Sequence, residues 1–182
     1  MELNYSLTEN DYLQQQLYLA SKSKLIEKQR KISRLLVFVL LLVIGLLFFI
    51  TKNMFLAYYF GIASIICFLL FPFYLKKYYY KLFKKYVNEN FRNRIGIVSK
   101  IIFKEDTLEA FSEGIGNSVI NFSVFENISE IQEYIFIGLK TNSNLIIPKN
   151  GIENVAVLRE ELKKICNKIK IEFISELDWK WK

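Results

Sequence analysis

The chain has 182 residues, two cysteines, no histidine and a formal net charge of +7, with a pI near 9.3. The lack of histidine excludes His-based triads and His-ligated metals, and Cys67 and Cys166 have no CxxC spacing, so no disulfide framework, thiolate metal site or cofactor is expected. The positive charge is concentrated, with net +5 in residues 21–34 and net +6 in residues 76–94, so the remainder is −4; a nucleic-acid-binding domain would carry its basic residues on the soluble fold, and no nucleic-acid partner is expected.

Glu2-Leu3-Asn4-Tyr5-Ser6-Leu7 alternates polar and apolar residues, as a half-buried strand does. Alone it would be unstable, so it is expected to pair with strands of the C-terminal part. Thr8 followed by Asp11 has the form of a helix N-cap with an acid in the first turn. Tyr12, Leu13, Leu17, Tyr18 and Leu25 then recur at roughly helical spacing, and no Gly or Pro intervenes between Thr8 and Gly45. One helix is therefore expected to run from the cytoplasm into the membrane, its basic stretch riding the anionic inner leaflet. Residues 1–34 read as a cytoplasmic strand and a basic amphipathic helix.

Residues 35–50 and 54–75 contain no charged residue and are separated only by Thr51-Lys52-Asn53. A helix crossing a hydrocarbon core of ~30 Å needs about 20 residues. The second run meets this directly. The first gains length if Lys31 and Arg34 snorkel back to the headgroups. A cleavable signal peptide fits poorly, because a polar segment of 34 residues precedes the first run and no small-x-small site follows it. A soluble helical hairpin would show a polar face, and these runs show none. The reading is a transmembrane hairpin over residues 35–75.

Basic residues at both outer ends place both termini in the cytoplasm and the Lys52 loop outside. Tyr58 and Tyr59 mark the outer interface; Phe71, Phe73, Tyr74 and Tyr78 to Tyr80 mark the inner one. Pro72 is expected to bend the second helix near its inner end. Ala57, Gly61 and Ser64 form a small-residue stripe, suited either to packing near Gly45 or to homo-oligomerisation. With no acid, base or amide inside either run, a pore has no support. Residues 76–94 read as a basic juxtamembrane helix.

Over residues 95–182 the pattern becomes short β-like runs with turn signals: 97–103, 107–111, 119–124, 128–131, 134–140 and 145–147. Turns are expected at 104–106, at Gly114-Ile115-Gly116 and at 141–143. Residues 155–169 then turn helical, with Leu158, Leu162, Ile165, Cys166 and Ile169 on one face. Antiparallel strands followed by one amphipathic helix predict an α+β domain, as an antiparallel sheet or small open barrel; the pleckstrin-homology type fits this order.

Three parts carry a resemblance: Tyr5-Ser6-Leu7-Thr8-Glu9-Asn10-Asp11-Tyr12, the paired apolar helices with basic flanks, and Leu145-Ile146-Ile147-Pro148-Lys149. Through them the chain resembles the YcxB-like family of bacterial membrane proteins over nearly its whole length. Members often follow the Ile-Pro-Lys element with Arg and an aromatic, where this chain has Asn150, Gly151 and Ile152. The resemblance implies a multi-pass protein of the bacterial inner membrane with a cytoplasmic domain at residues 95–182, and it supplies no reaction and no catalytic residues.

Among the acids of the soluble part, Glu130 and Glu133 flank a predicted turn, and a carboxylate pair can serve acid–base chemistry. A solvated turn is the plainer reading. Lys149 after Pro148 suits an anionic headgroup or a partner's carboxylate. Trp179-Lys180-Trp181-Lys182 suits a membrane interface, with rings at headgroup depth and ammonium groups in water. Lys149, Trp179, Trp181, Lys76 and Lys77 are thus the candidate contacts to lipid or to an unidentified protein partner. The expected function is non-enzymatic: an integral membrane protein whose cytoplasmic domain binds a partner or lipid headgroups. The alternatives are an immunity protein that neutralises a toxin and a membrane-bound enzyme using Glu130 or Glu133.

Overall fold

The computed structural model describes residues 1–141 and 143–181; Asn142, which falls in the expected 141–143 turn, and Lys182 lie outside it. Two compact units result. One combines Met1–Gln15 with Tyr86–Lys180, and the other comprises Gln16–Lys85 with Trp181.

In the first unit, the N-terminal strand β1 (Glu2–Ser6) pairs antiparallel with β2 (Val98–Phe103), with Leu3 opposite Ile101 and Tyr5 opposite Ser99. A strand that precedes the hairpin is thus completed by one that follows it. β3 (Thr107–Ser112) and β4 (Gly116–Asn121) continue the sheet in the order β1-β2-β3-β4. Gly114 at φ +71° lies in the turn between β3 and β4, a left-handed conformation that glycine adopts without strain.

A 3-10 turn at Phe122–Val124, capped by the Asn121 side chain accepting from the Ser123 N–H, ends the first sheet. The second sheet has the order β7-β6-β5-β8, formed by β5 (Phe125–Ile131), β6 (Tyr134–Leu139), β7 (Asn144–Pro148) and β8 (Glu172–Glu176). One continuous strand at 119–124 was the expectation; the chain instead changes sheet there. β8 was not anticipated. It follows the helix and pairs parallel with β5, Ile128 opposite Phe173.

The first α-helix, α1, spans Glu9–Lys22 and the last, α4, spans Val155–Ile169. Leu158, Leu162, Ile165 and Cys166 of α4 share one core with Ile128, Ile135, Ile137 and Ile147 of the second sheet and Ile101 and Leu108 of the first. The period-3.6 face read from the sequence is therefore the face that closes the domain. Burying one such Leu or Ile side chain is worth about 1.5–3 kcal/mol.

In the second unit, α2 (Lys24–Ile50) and α3 (Met54–Asn90) are joined by the short Thr51-Lys52-Asn53 turn. Both are long and apolar enough to span a membrane. The expectation of one uninterrupted helix from Thr8 is corrected. Ser23 adopts an extended backbone, and its Oγ accepts from the Ile26 N–H at 3.4 Å, starting a new helix. The basic segment at 76–94, expected as a juxtamembrane helix, is the last part of α3 as far as Asn90, followed by a 3-10 turn at Arg92–Arg94.

Gly45 is buried with Ala57, Phe60 and Gly61 as its nearest neighbours, and Ser64 is fully buried with its hydroxyl donating to the Gly61 carbonyl at 2.7 Å. Ala57 and Gly61 thus pack their backbones near Gly45, the packing role, while the side of Gly61 where a Cβ would stand is open. Pro72 leaves the Phe68 carbonyl without its helical donor. Arg34 of α2 supplies one: its Nε–H donates to that carbonyl at 2.8 Å, with the guanidinium 3.8 Å from the Phe68 ring centroid. Arg34 was expected to snorkel outward; it turns inward because proline has created an acceptor there.

Candidate functional site

Glu130 sits on β5, on the face that meets α4, and is fully buried. Arg159, in the second turn of α4, donates Nε–H to Oε2 at 2.8 Å and Nη2–H to Oε1 at 2.6 Å, a bidentate fork. Lys149 adds its ammonium at 2.6 Å from Oε1 and donates to the Ile131 carbonyl at 2.7 Å. Burial pushes the Glu130 carboxyl up, but hydrogen bonds and charge from Arg159 and Lys149 outweigh it and hold the group below the usual range. An acid–base carboxylate needs the opposite displacement, toward neutral pH. Glu133 is exposed at the turn, so the two carboxylates of the enzyme reading lie in different environments. Lys149, expected at a headgroup, has a side chain only 11% exposed and turned onto Glu130.

A second polar cluster ties the N-terminal arm to the same sheet. The Thr8 N–H donates to Asp11 Oδ2 at 2.6 Å, and the Asp11 N–H donates to Thr8 Oγ1 at 3.4 Å, a reciprocal capping box. The other Asp11 oxygen accepts from the Tyr134 hydroxyl at 2.7 Å. Burial, joined by that carboxylate, raises the Tyr134 pKa. Gln15 Nε2 donates to the Asn144 carbonyl at 3.4 Å. The cap signal was visible in Thr8 and Asp11; the tyrosine 123 residues away was not.

Between this arm and the first sheet lies a cavity of about 240 Å³. Its walls include Tyr5 of β1, Tyr12 of α1 and Phe91, which follows α3. Tyr12 and Phe91 stack with ring centroids 4.6 Å apart. The space exists because the inward positions opposite Tyr5 are small: Ser99 and Ser112 face each other across β2 and β3, Oγ to Oγ 3.1 Å, beside Ala110. Arg94 and Lys100 also line it, and no Asp or Glu does. The sequence reading did not find this cavity, since its residues come from four separate segments.

Lys76 and Lys77 are exposed on α3, with no ion-pair partner among the described residues. Trp181 donates its indole N–H to the Lys76 carbonyl at 3.2 Å, with the Arg30 guanidinium 5.4 Å from its ring centroid. It therefore lies within the basic end of the hairpin. Trp179 is half-buried, its N–H donating to the Glu176 carbonyl at 3.0 Å. Cys166 is buried in the core, where burial pushes its thiol pKa up to about 11, leaving it inert at neutral pH. Comparison with protein families, characterised proteins and solved structures gives no match.

Proposed function

We propose that this chain is a non-enzymatic integral protein of the bacterial inner membrane, of the YcxB-like kind its sequence resembles. Both termini lie in the cytoplasm, and the cytoplasmic domain binds a protein partner or lipid headgroups at the bilayer. The observation that carries this reading is the outward-facing apolar surface of α2 and α3. In the most apolar 18-residue window of each helix, only 6% and 11% of residues are buried, whereas the core helix of a soluble protein would be mostly covered. The basic flanks at residues 21–34 and 76–94 support the orientation, since positive residues are retained in the cytoplasm.

Exposed Lys76 and Lys77, with Trp181 beside them, support a headgroup-level contact, with rings at the interface and ammonium groups in water. Lys149 plays no part in that contact, because its charge serves Glu130. The ion pairing of Glu130 supports a structural role for that residue over a catalytic one. Crosslinking and affinity capture of the full chain from native membranes, with lipid analysis of the same sample, test the reading. A stoichiometric protein partner or enrichment of anionic lipid is the expected result; recovery of the chain alone with bulk lipid composition would overturn it.

A further inference from the structure

We propose that the cavity between Tyr5, Tyr12 and Phe91 on one side and Ser99 and Ser112 on the other binds a phosphate group on a small stem, anchored by Arg94. This rests on the membrane-domain reading and names a ligand for it. Tyr12 is 8% exposed, and its hydroxyl has no hydrogen-bond partner among the described residues. The Tyr5 hydroxyl likewise has none. No polar side-chain atom among the described residues is both sealed and unsatisfied, so these hydroxyls keep access to solvent, on two residues that line the cavity.

Burial raises the pKa of Tyr5, and nearby Tyr12 adds to the effect. Burial also raises that of Tyr12, with Arg94 opposing and Asp11 adding. Both therefore remain O–H donors at neutral pH. Ser99 and Ser112 share one hydrogen bond between two hydroxyls, which leaves a second hydroxyl proton to donate.

The acceptors do not match this supply. Asp11 is the acid next to Tyr12, and its two oxygens are taken by the Thr8 N–H and the Tyr134 hydroxyl. Lys100 is paired with Glu2 at 2.6 Å. Arg94 has no carboxylate partner among the described residues. Two phenols, a serine hydroxyl and a guanidinium thus surround a space with no acid in its lining. A phosphate presents several acceptor oxygens and the charge that a guanidinium fork matches. The volume lies just below the ~300–1,000 Å³ of sites for drug-sized ligands, so it suits a headgroup-sized phosphate ester. The stacked rings of Tyr12 and Phe91 supply an apolar wall for the stem.

The source of the phosphate is either a phospholipid headgroup or a free phosphate ester, and two assays on the full chain separate them. Calorimetry in phosphatidylcholine nanodiscs tests glycerol phosphate and inorganic phosphate. Native mass spectrometry from detergent tests retention of phosphatidylglycerol against phosphatidylcholine. Arg94→Gln is expected to weaken whichever ligand binds by about tenfold, the loss of a charged hydrogen bond. Tyr12→Phe keeps the ring stacked on Phe91 and is expected to weaken it by about tenfold, the loss of a hydrogen bond to a charged acceptor. Lys164→Gln, on the exposed face of α4, should leave glycerol phosphate binding unchanged.

Loss of phosphatidylglycerol retention in the Arg94 and Tyr12 variants assigns a lipid headgroup; loss of calorimetric binding assigns a free ester. If neither variant alters either assay, or nothing phosphate-bearing binds, the inference falls. An anionic-lipid preference that survives Arg94→Gln but is lost with Lys76→Gln and Lys77→Gln would sink the cavity while leaving the general membrane reading intact.

Discussion

In the unit built from Met1–Gln15 and Tyr86–Lys180, apolar side chains turn inward, and Glu130, the one fully buried acid among the described residues, is held by two cations. In the unit Gln16–Lys85 the pattern is inverted: Ile50 is 74% exposed and Phe55 79% exposed, whereas Ser64 is fully buried. The same rule operates in both. Polar groups removed from water must find partners, and apolar groups face whatever solvent is apolar. In the first unit the apolar surroundings are the core; in the second, on the membrane reading proposed above, they lie outside. Ser64 on the Gly61 carbonyl and Arg34 on the Phe68 carbonyl are the hairpin's counterparts of the Glu130 cluster.

Breaking one partner in each unit sharpens this contrast. The largest effect is expected from Glu130→Ala, which leaves Arg159 and Lys149 facing each other in a buried site, at a cost of about 3–5 kcal/mol. Hydrogen exchange should show β5 and β6 losing protection while α2 and α3 keep theirs. The same group gives a pH dependence. Its folded carboxyl titrates below its unfolded value of about 4.3, so its contribution is present above that value and lost as pH falls through the lower folded value. Acid unfolding of the sheet unit should move to higher pH in Arg159→Gln.

Next is Arg34→Leu, expected to cost about 1–3 kcal/mol by orphaning the Phe68 carbonyl. In a Pro72→Ala background the helical N–H is restored and the cost should largely vanish. Thermal stability of the four variants in nanodiscs closes that cycle, and equal costs in both backgrounds would refute the pairing. Tyr134→Phe removes a hydrogen bond to the Asp11 carboxylate and should cost about 1.5 kcal/mol, read as faster exchange in β1 and the first turn of α1. The smallest effect is Gly45→Ala, whose added methyl would meet the Ala57 carbonyl at 3.4 Å and the Gly61 nitrogen at 3.5 Å. These distances are near ordinary contact, so a change under about 1 kcal/mol in nanodisc thermal stability is expected.

The hairpin and most strands were readable because each is written locally. An uninterrupted apolar run, a period of two, or five apolar residues on one face of 155–169 needs no distant partner. The features that escaped depend on distant contacts or on one side chain competing with its own backbone. β8 is a five-residue strand bounded by Glu172 and Glu176, and it becomes a strand only beside β5. Ser23 breaks a helix by capping the next one. Glu130 reads as a turn acid until Arg159, 29 residues later, folds onto it. The cavity of Tyr5, Tyr12, Arg94 and Ser99 belongs to the same class, as its walls meet only when β1 joins β2.

The inversion between the units is tested most directly by asking which parts of the intact cell surface are reachable. With Cys67 and Cys166 changed to alanine, single cysteines are placed at Asn53, in the turn between α2 and α3, and at Asn117, exposed on β4. An impermeant thiol reagent should label Asn53→Cys on whole cells and label Asn117→Cys only after the membrane is opened. Labelling of Asn117→Cys from outside with protection of Asn53→Cys, or equal labelling of both in a soluble fraction, would contradict a membrane-mounted cytoplasmic domain.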